Sequence, residues 1–135
     1  MDRATYDDYL RKFNARDYEG VLGFYAPQFE VVFAGHALKS REEVLGFYRF
    51  LHAHVDEKIS IRRFVSNGEM IAMEAIVRVE GTRAVSAEAQ AAAGYGWIAV
   101  PPPGAVLEML QFIHYHLKDG KITGAYCAVF EPAAG

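Results

Sequence analysis

The chain has 135 residues, a formal net charge of −3, about half hydrophobic residues (52%) and a single cysteine. That length suits one domain with a sizeable core, and the absence of a long basic block argues against nucleic acid as a partner. Cys127 alone excludes an intrachain disulfide or a cysteine metal cluster, and no apolar run approaches the ~20 residues of a membrane helix.

The first residues, MDRATYDDYLRKF, carry too many charges for a signal peptide. The expectation is a cytoplasmic protein without a membrane partner. From Thr5 the apolar residues Tyr6, Tyr9, Leu10 and Phe13 recur at helical spacing. Thr5 reads as the cap, with Asp7 and Asp8 as first-turn charges that suit the helix dipole. Asn14-Ala15-Arg16 reads as a bend. Asp17 then caps a second short helix through Val21, Leu22, Phe24 and Tyr25, which Pro27 ends.

Residues 29–35 (FEVVFAG) read as a short strand with Phe29, Val31 and Phe33 on one side. SREE at 40–43 is a Ser-x-x-Glu capping box opening a helix that carries Val44, Phe47, Tyr48, Leu51 and Val55. His52 and His54 lie on that helix about 200° apart, so they cannot share one ion. Strands are expected at 59–65 and 69–79, joined through Asn67-Gly68, a strong hairpin signal. In the second of these strands Ile71, Met73, Ala75, Val77 and Val79 form an apolar face. Glu74 and Arg78 on the other face read as an exposed pair.

Residues 85–104 (VSAEAQAAAGYGWIAVPPPG) stand apart from this pattern. Ser86 caps a short helix that Gly94 stops, and Pro101–Pro103 hold the chain extended. Two readings stay open for this segment. It is a flap over a pocket, with Tyr95 and Trp97 as its apolar contacts, or an insertion resting on the surface or on a partner subunit.

The last strands are expected at 108–117 and 121–130, joined by Asp119-Gly120. A two-residue turn sets Ile113 opposite Tyr126 and Gln111 opposite Ala128. Met109, Gln111, Ile113, Tyr115 and Leu117 then face inward, while His114 and His116 face outward with Leu110 and Phe112. A bulge would shift that register and make His114 and His116 the acid/base candidates. A strand His-x-His is short of ligands for a metal, so neither metal nor cofactor is expected. Cys127 reads as a buried structural thiol.

Three stretches carry a resemblance: YLRKFNARDYEGVLGFYAP, then LKSREEVLGFY, then LKDGKI. Together they resemble the nuclear transport factor 2-like superfamily, particularly its SnoaL-like (polyketide cyclase-like, steroid isomerase-like) branch. The likeness spans nearly the whole chain apart from residues 85–104. It implies one α+β domain over residues 1–135, with a curved antiparallel sheet wrapped around helices to form a cone. It also implies a homodimer through the outer sheet face.

Carried over residue by residue, Tyr9 matches the oxyanion-donating tyrosine of the steroid isomerases. Phe33 stands at their general base. Ile113 stands at their second donor and at the cyclase acid/base. The dehydratase pattern needs pocket histidines on the middle strands, and residues 59–79 hold none. The epoxide hydrolase Asp-Arg-Asp set is likewise missing.

The expected pocket is lined by Tyr9, Phe13, Tyr25, Phe33, Phe47, Met73, Gln111, Ile113 and Tyr115, with Tyr95 and Trp97 from the flap. Such a pocket suits a hydrophobic or aromatic carbonyl compound. An enzyme of this kind would be a cofactor-independent isomerase, cyclase or dehydratase. The competing reading is a non-catalytic dimerisation or interaction module whose cavity is filled by core side chains.

Overall fold

The computed structural model describes residues 1–130. Helix α1 (Arg3–Asn14) begins earlier than the pattern suggests. Asp2 is its cap and accepts from the Thr5 amide at 2.8 Å, so Thr5, Asp7 and Asp8 lie within the helix. An aspartate oxygen is the better acceptor for the open amides of a first turn. The buried face holds Tyr6, Tyr9, Leu10 and Phe13, as the spacing predicts.

The following bend is fixed by Arg16, whose φ of 65° is left-handed. Asp17 then caps α2 (Tyr18–Leu22), accepting from the Gly20 amide. That helix stops before Phe24 and Tyr25. Tyr25 opens strand β1 (Tyr25–Phe33), and Pro27 lies inside the strand rather than ending a helix. Proline has no N–H to offer a ladder, and the pairing of β1 with its neighbour is interrupted between Tyr25 and Glu30.

Ala34-Gly35, both at positive φ, turns the chain into β2 (His36–Leu38). Sequence patterning misses this short strand, because alanine is not a usual residue for a left-handed turn. Ser40 caps α3 (Arg41–His54), accepting from the Glu43 amide at 3.1 Å, while Glu43 reaches back to the Lys39 amide.

Strand β3 (Val55–Ser66) starts four residues before the predicted one. It forms a hairpin with β4 (Met70–Gly81), whose Ile71, Met73, Ala75, Val77 and Val79 are buried as expected. The turn works through the Asn67 side chain, which accepts from the Glu69 and Met70 amides. Glu74 pairs with Arg63 at 3.4 Å, not with Arg78, which approaches Glu80 instead.

Helix α4 (Ala87–Ala92) is capped by Ser86. Strands β5 (Val106–Lys118) and β6 (Lys121–Val129) close the chain through Asp119-Gly120, both at positive φ. The sheet order is β2-β1-β6-β5-β4-β3, with β1 parallel to β6 and the other neighbours antiparallel. The fold is α+β, a curved, open six-stranded sheet whose concave side receives the helices as a cone. One-residue irregularities between Ile61 and Arg63 and opposite His116–Leu117 interrupt the ladders; bulges of this kind increase local twist.

The second irregularity corrects the predicted register. Thr123 is the extra residue, so Ile113 lies opposite Cys127, Gln111 opposite Val129 and Phe112 opposite Ala128. Only β6 is displaced. Strand β5 keeps its facing because residues 106–116 pair with β4 without a break, Met73 opposite Ile113 and Ile71 opposite Tyr115. His114 and His116 therefore stay exposed on the outer face.

Candidate active site

The cone encloses a cavity of about 490 Å³, within the range of small-molecule pockets. Of the residues expected to line it, Tyr9, Phe13, Tyr25, Phe33, Phe47, Gln111, Ile113, Tyr115 and Trp97 do so. Met73 is buried deeper in the core, and Tyr95 packs on the rings of Phe47 and Phe50 outside the wall. Sequence reasoning missed Tyr48, Glu57 and Cys127, which also line the cavity.

Residues 97–99 contribute to the wall. Trp97 stacks on Phe47 at 5.2 Å and on His36 at 4.1 Å, and it meets Phe33 at 5.6 Å. The segment is held from both ends. The Gln90 amide donates to the carbonyls of Tyr95 and Ile98. The Gly81 amide donates to Ala105, and the Gly104 amide donates to Gly81.

The polar groups on this apolar wall are phenols, an amide, a thiol and one carboxylate. Tyr9 and Tyr25 share a hydrogen bond at 2.9 Å, and Tyr115 shares one with Tyr6 at 2.7 Å. Burial, then the neighbouring phenol Tyr6, raises the Tyr9 hydroxyl well above the ordinary tyrosine range. Burial does the same first for Tyr25, Tyr48 and Tyr115. All four stay neutral and able to donate at physiological pH. Gln111 satisfies neither Tyr9 nor Tyr115, and no described residue hydrogen-bonds its amide. The Cys127 thiol is pushed up to about 12 by burial and then by the charge of Glu57, so it is a protonated wall residue and not a nucleophile.

Glu57 sits at the start of β3 on the inward side with Val55 and Ile59, opposite Val79. Its Oε1 lies 2.8 Å from His52 Nε2, and His52 Nδ1 lies 2.7 Å from the Tyr18 hydroxyl. Arg16 anchors this corner, with its guanidinium donating to the Glu57 carbonyl at 2.6 Å and to the Asp56 carboxylate at 3.0 Å. The β5 pair His114 and His116 is remote from the cavity, and His116 lies against Tyr126 on the outer face. Among the described residues no cluster of three or more His, Cys, Asp or Glu side chains is arranged to hold a metal ion.

Residues 6–125 match the SnoaL-like domain profile, and the chain belongs to that family. Solved structures of the same fold include a nuclear transport factor 2-like protein of unknown function from Burkholderia pseudomallei. It superposes at a TM-score of 0.71 and 17% identity, over 96% of this chain and 92% of that one. IdmH from Streptomyces antibioticus, a candidate polyketide cyclase, gives 0.68 and 22% over 93% and 89%. TerC, co-crystallized with polyporic acid, gives 0.66 and 16% over 91% and 86%. No curated protein matches the chain in sequence. Among the described residues no helix is long and apolar enough to cross a membrane.

Proposed function

We propose that the chain binds a flat, mostly apolar carbonyl compound of fused-ring aromatic or polyketide-like type. The observation that carries this reading is the cavity itself, about 490 Å³ of space between Phe13, Phe33, Phe47, Ile113 and Trp97. Apolar walls supply affinity in proportion to the ligand surface they take from water. Orientation comes from the Tyr9–Tyr25 pair and Gln111, whose donors suit a carbonyl or phenol oxygen. A core-filled interaction module is disfavoured by the same volume.

Catalysis on such a ligand would be isomerisation, cyclisation or dehydration without a cofactor, with Tyr9 polarising the carbonyl. The outer sheet face, with Phe112 and Phe130 exposed, fits the homodimer that the fold suggests.

Native mass spectrometry of the purified protein, with its small-molecule extract analysed alongside, tests binding. A stoichiometric aromatic or polyketide-like ligand, displaceable by a related compound, is expected. Failure to bind any of a panel of flat aromatic ketones at millimolar concentration would sink the reading. With a turned-over ligand in hand, Tyr9→Phe is expected to lower kcat at least about tenfold, as losing an oxyanion donor does.

A further inference from the structure

We propose that Glu57 is the proton-transfer base of the cavity, and that His52, fixed by Tyr18, is a positioning residue that holds its carboxylate. This rests on the reading above, that the cavity receives a small molecule. The substrate class it adds is a carbon acid, a hydrophobic compound that loses a proton from carbon beside a carbonyl.

Glu57 is the only carboxylate in the wall among the described residues. Its side chain is 12% exposed and that of His52 only 4%. One oxygen is engaged by His52, and no described residue hydrogen-bonds the other, Oε2, which is left for a ligand. Apolar neighbours take the place of water around this carboxylate, so it meets a ligand's C–H without a hydration shell between them.

The imidazole of His52 is held in place by its neighbours. Tyr18 stacks on it at 5.7 Å and 11°, Tyr48 at 5.4 Å and 28°, and Phe13 meets it edge-on at 5.9 Å. A carboxylate only accepts, so Nε2 carries the proton and donates to Glu57, which leaves Nδ1 to accept from the Tyr18 hydroxyl. The same hydroxyl lies 3.5 Å from the Tyr48 carbonyl.

After Glu57 has taken a proton from carbon on Oε2, it hands that proton on, to another atom of the ligand or to water, and is a carboxylate again. His52 keeps its Nε2 proton and its bond to Oε1 throughout, so no co-reactant is needed. Tyr48 lines the same cavity, and no described residue hydrogen-bonds its hydroxyl, which makes it a neutral donor for the oxygen that gains charge. Arg16 from the bend, Arg49 and Tyr48 from α3, and Cys127 from β6 are the other charged or titratable groups bearing on Glu57 and Tyr18.

The test uses 5-nitrobenzisoxazole, a flat aromatic carbon acid. A base takes its C3 proton, the C–H pair forms the nitrile, and the N–O bond breaks to leave a coloured phenolate. Binding is measured separately with 5-nitrobenzotriazole, a non-reacting isostere. Wild-type protein is expected to accelerate the elimination beyond free acetate. Glu57→Gln should lose at least about a hundredfold while binding the isostere unchanged, and Glu57→Asp should recover part of the rate. In 15N spectra His52 should carry its proton on Nε2, and Tyr18→Phe should turn that signature into a mixture of tautomers.

Binding of the isostere with a Glu57→Gln rate equal to wild type would overturn the assignment and leave the cavity reading standing. A His52 proton on Nδ1, indifferent to Tyr18→Phe, would overturn the positioning role of His52 and Tyr18. Absence of isostere binding to wild-type protein would fell the cavity reading, and this proposal with it.

Discussion

Cys127 shows how far a single residue's environment departs from its composition. Its thiol, ordinarily near 9.0, is held up to about 12 by burial and by the charge of Glu57. The sign of the resulting pH dependence follows from linkage. Unfolded chain loses this proton above about pH 9, whereas folded chain keeps it to about pH 12. The stabilisation is therefore complete below pH 9 and is lost as pH rises through that window. Thermal melts from pH 8 to 11 should show a smaller alkaline decline in Cys127→Ala than in wild type. Equal declines would mean that the thiol is not shielded. The buried phenols, Tyr6, Tyr9, Tyr25, Tyr48 and Tyr115, add a loss of the same sign at higher pH.

Among the elements, the junction between β4 and the 82–105 segment is the tightest. A Cβ on Gly81 would stand 2.2 Å from the Pro102 carbonyl oxygen and 2.3 Å from that of Pro101. Both are backbone atoms, so they cannot swing aside. Gly81→Ala is expected to cost about 1–3 kcal/mol through forced backbone displacement, read as a lowered urea midpoint. It should also weaken ligand binding, because Trp97 and Ile98 hang from this anchor. A variant with unchanged stability and affinity would show that the segment adapts freely. Gly46 makes a gentler contact on the other side, where an added Cβ would lie 3.0 Å from the Tyr95 hydroxyl.

At the scale of the molecule, the outer face of the sheet carries exposed apolar side chains in a row. Phe112 stacks on Phe130 at 5.1 Å, and His114 and His116 lie on the same face. A second copy of the chain is the expected cover. Light scattering behind size exclusion should report a dimer for wild type and a monomer for Phe112→Asp, with the fold intact by circular dichroism. A wild-type monomer at high micromolar concentration would refute the dimer.

The helices, the long strands and the inward facing of β4 and β5 were legible because local signals are redundant there. The Tyr6–Phe13 stripe, the Ser40 cap, the β4 alternation and the Asp119-Gly120 turn each repeat one message in adjacent residues. Tyr9, Phe33, Phe47 and Ile113 reached the cavity wall through the same periodicity. The sequence was weaker where one residue carries the decision. Thr123 bulges without a compositional mark, and it moves Cys127 inward and sends Tyr126 out to Glu30, 2.9 Å from its hydroxyl.

Glu57 was hidden in Asp56-Glu57-Lys58, the charged stretch between a helix read through Val55 and a strand read from Ile59. Running the Ile59/Ile61 alternation back two steps would have placed a carboxylate on an apolar face. Its partnership with His52 and Tyr18 could not be read locally. Helix α3 turns directly into β3 at Val55, the bend before α2 ties to β3 through Arg16, and Tyr18 at the start of α2 reaches His52 of α3. Chain order and periodicity determine which residues form the cone's inner surface. Only tertiary packing decides which polar groups meet there, because that depends on the crossing of elements whose side chains share no sequence spacing.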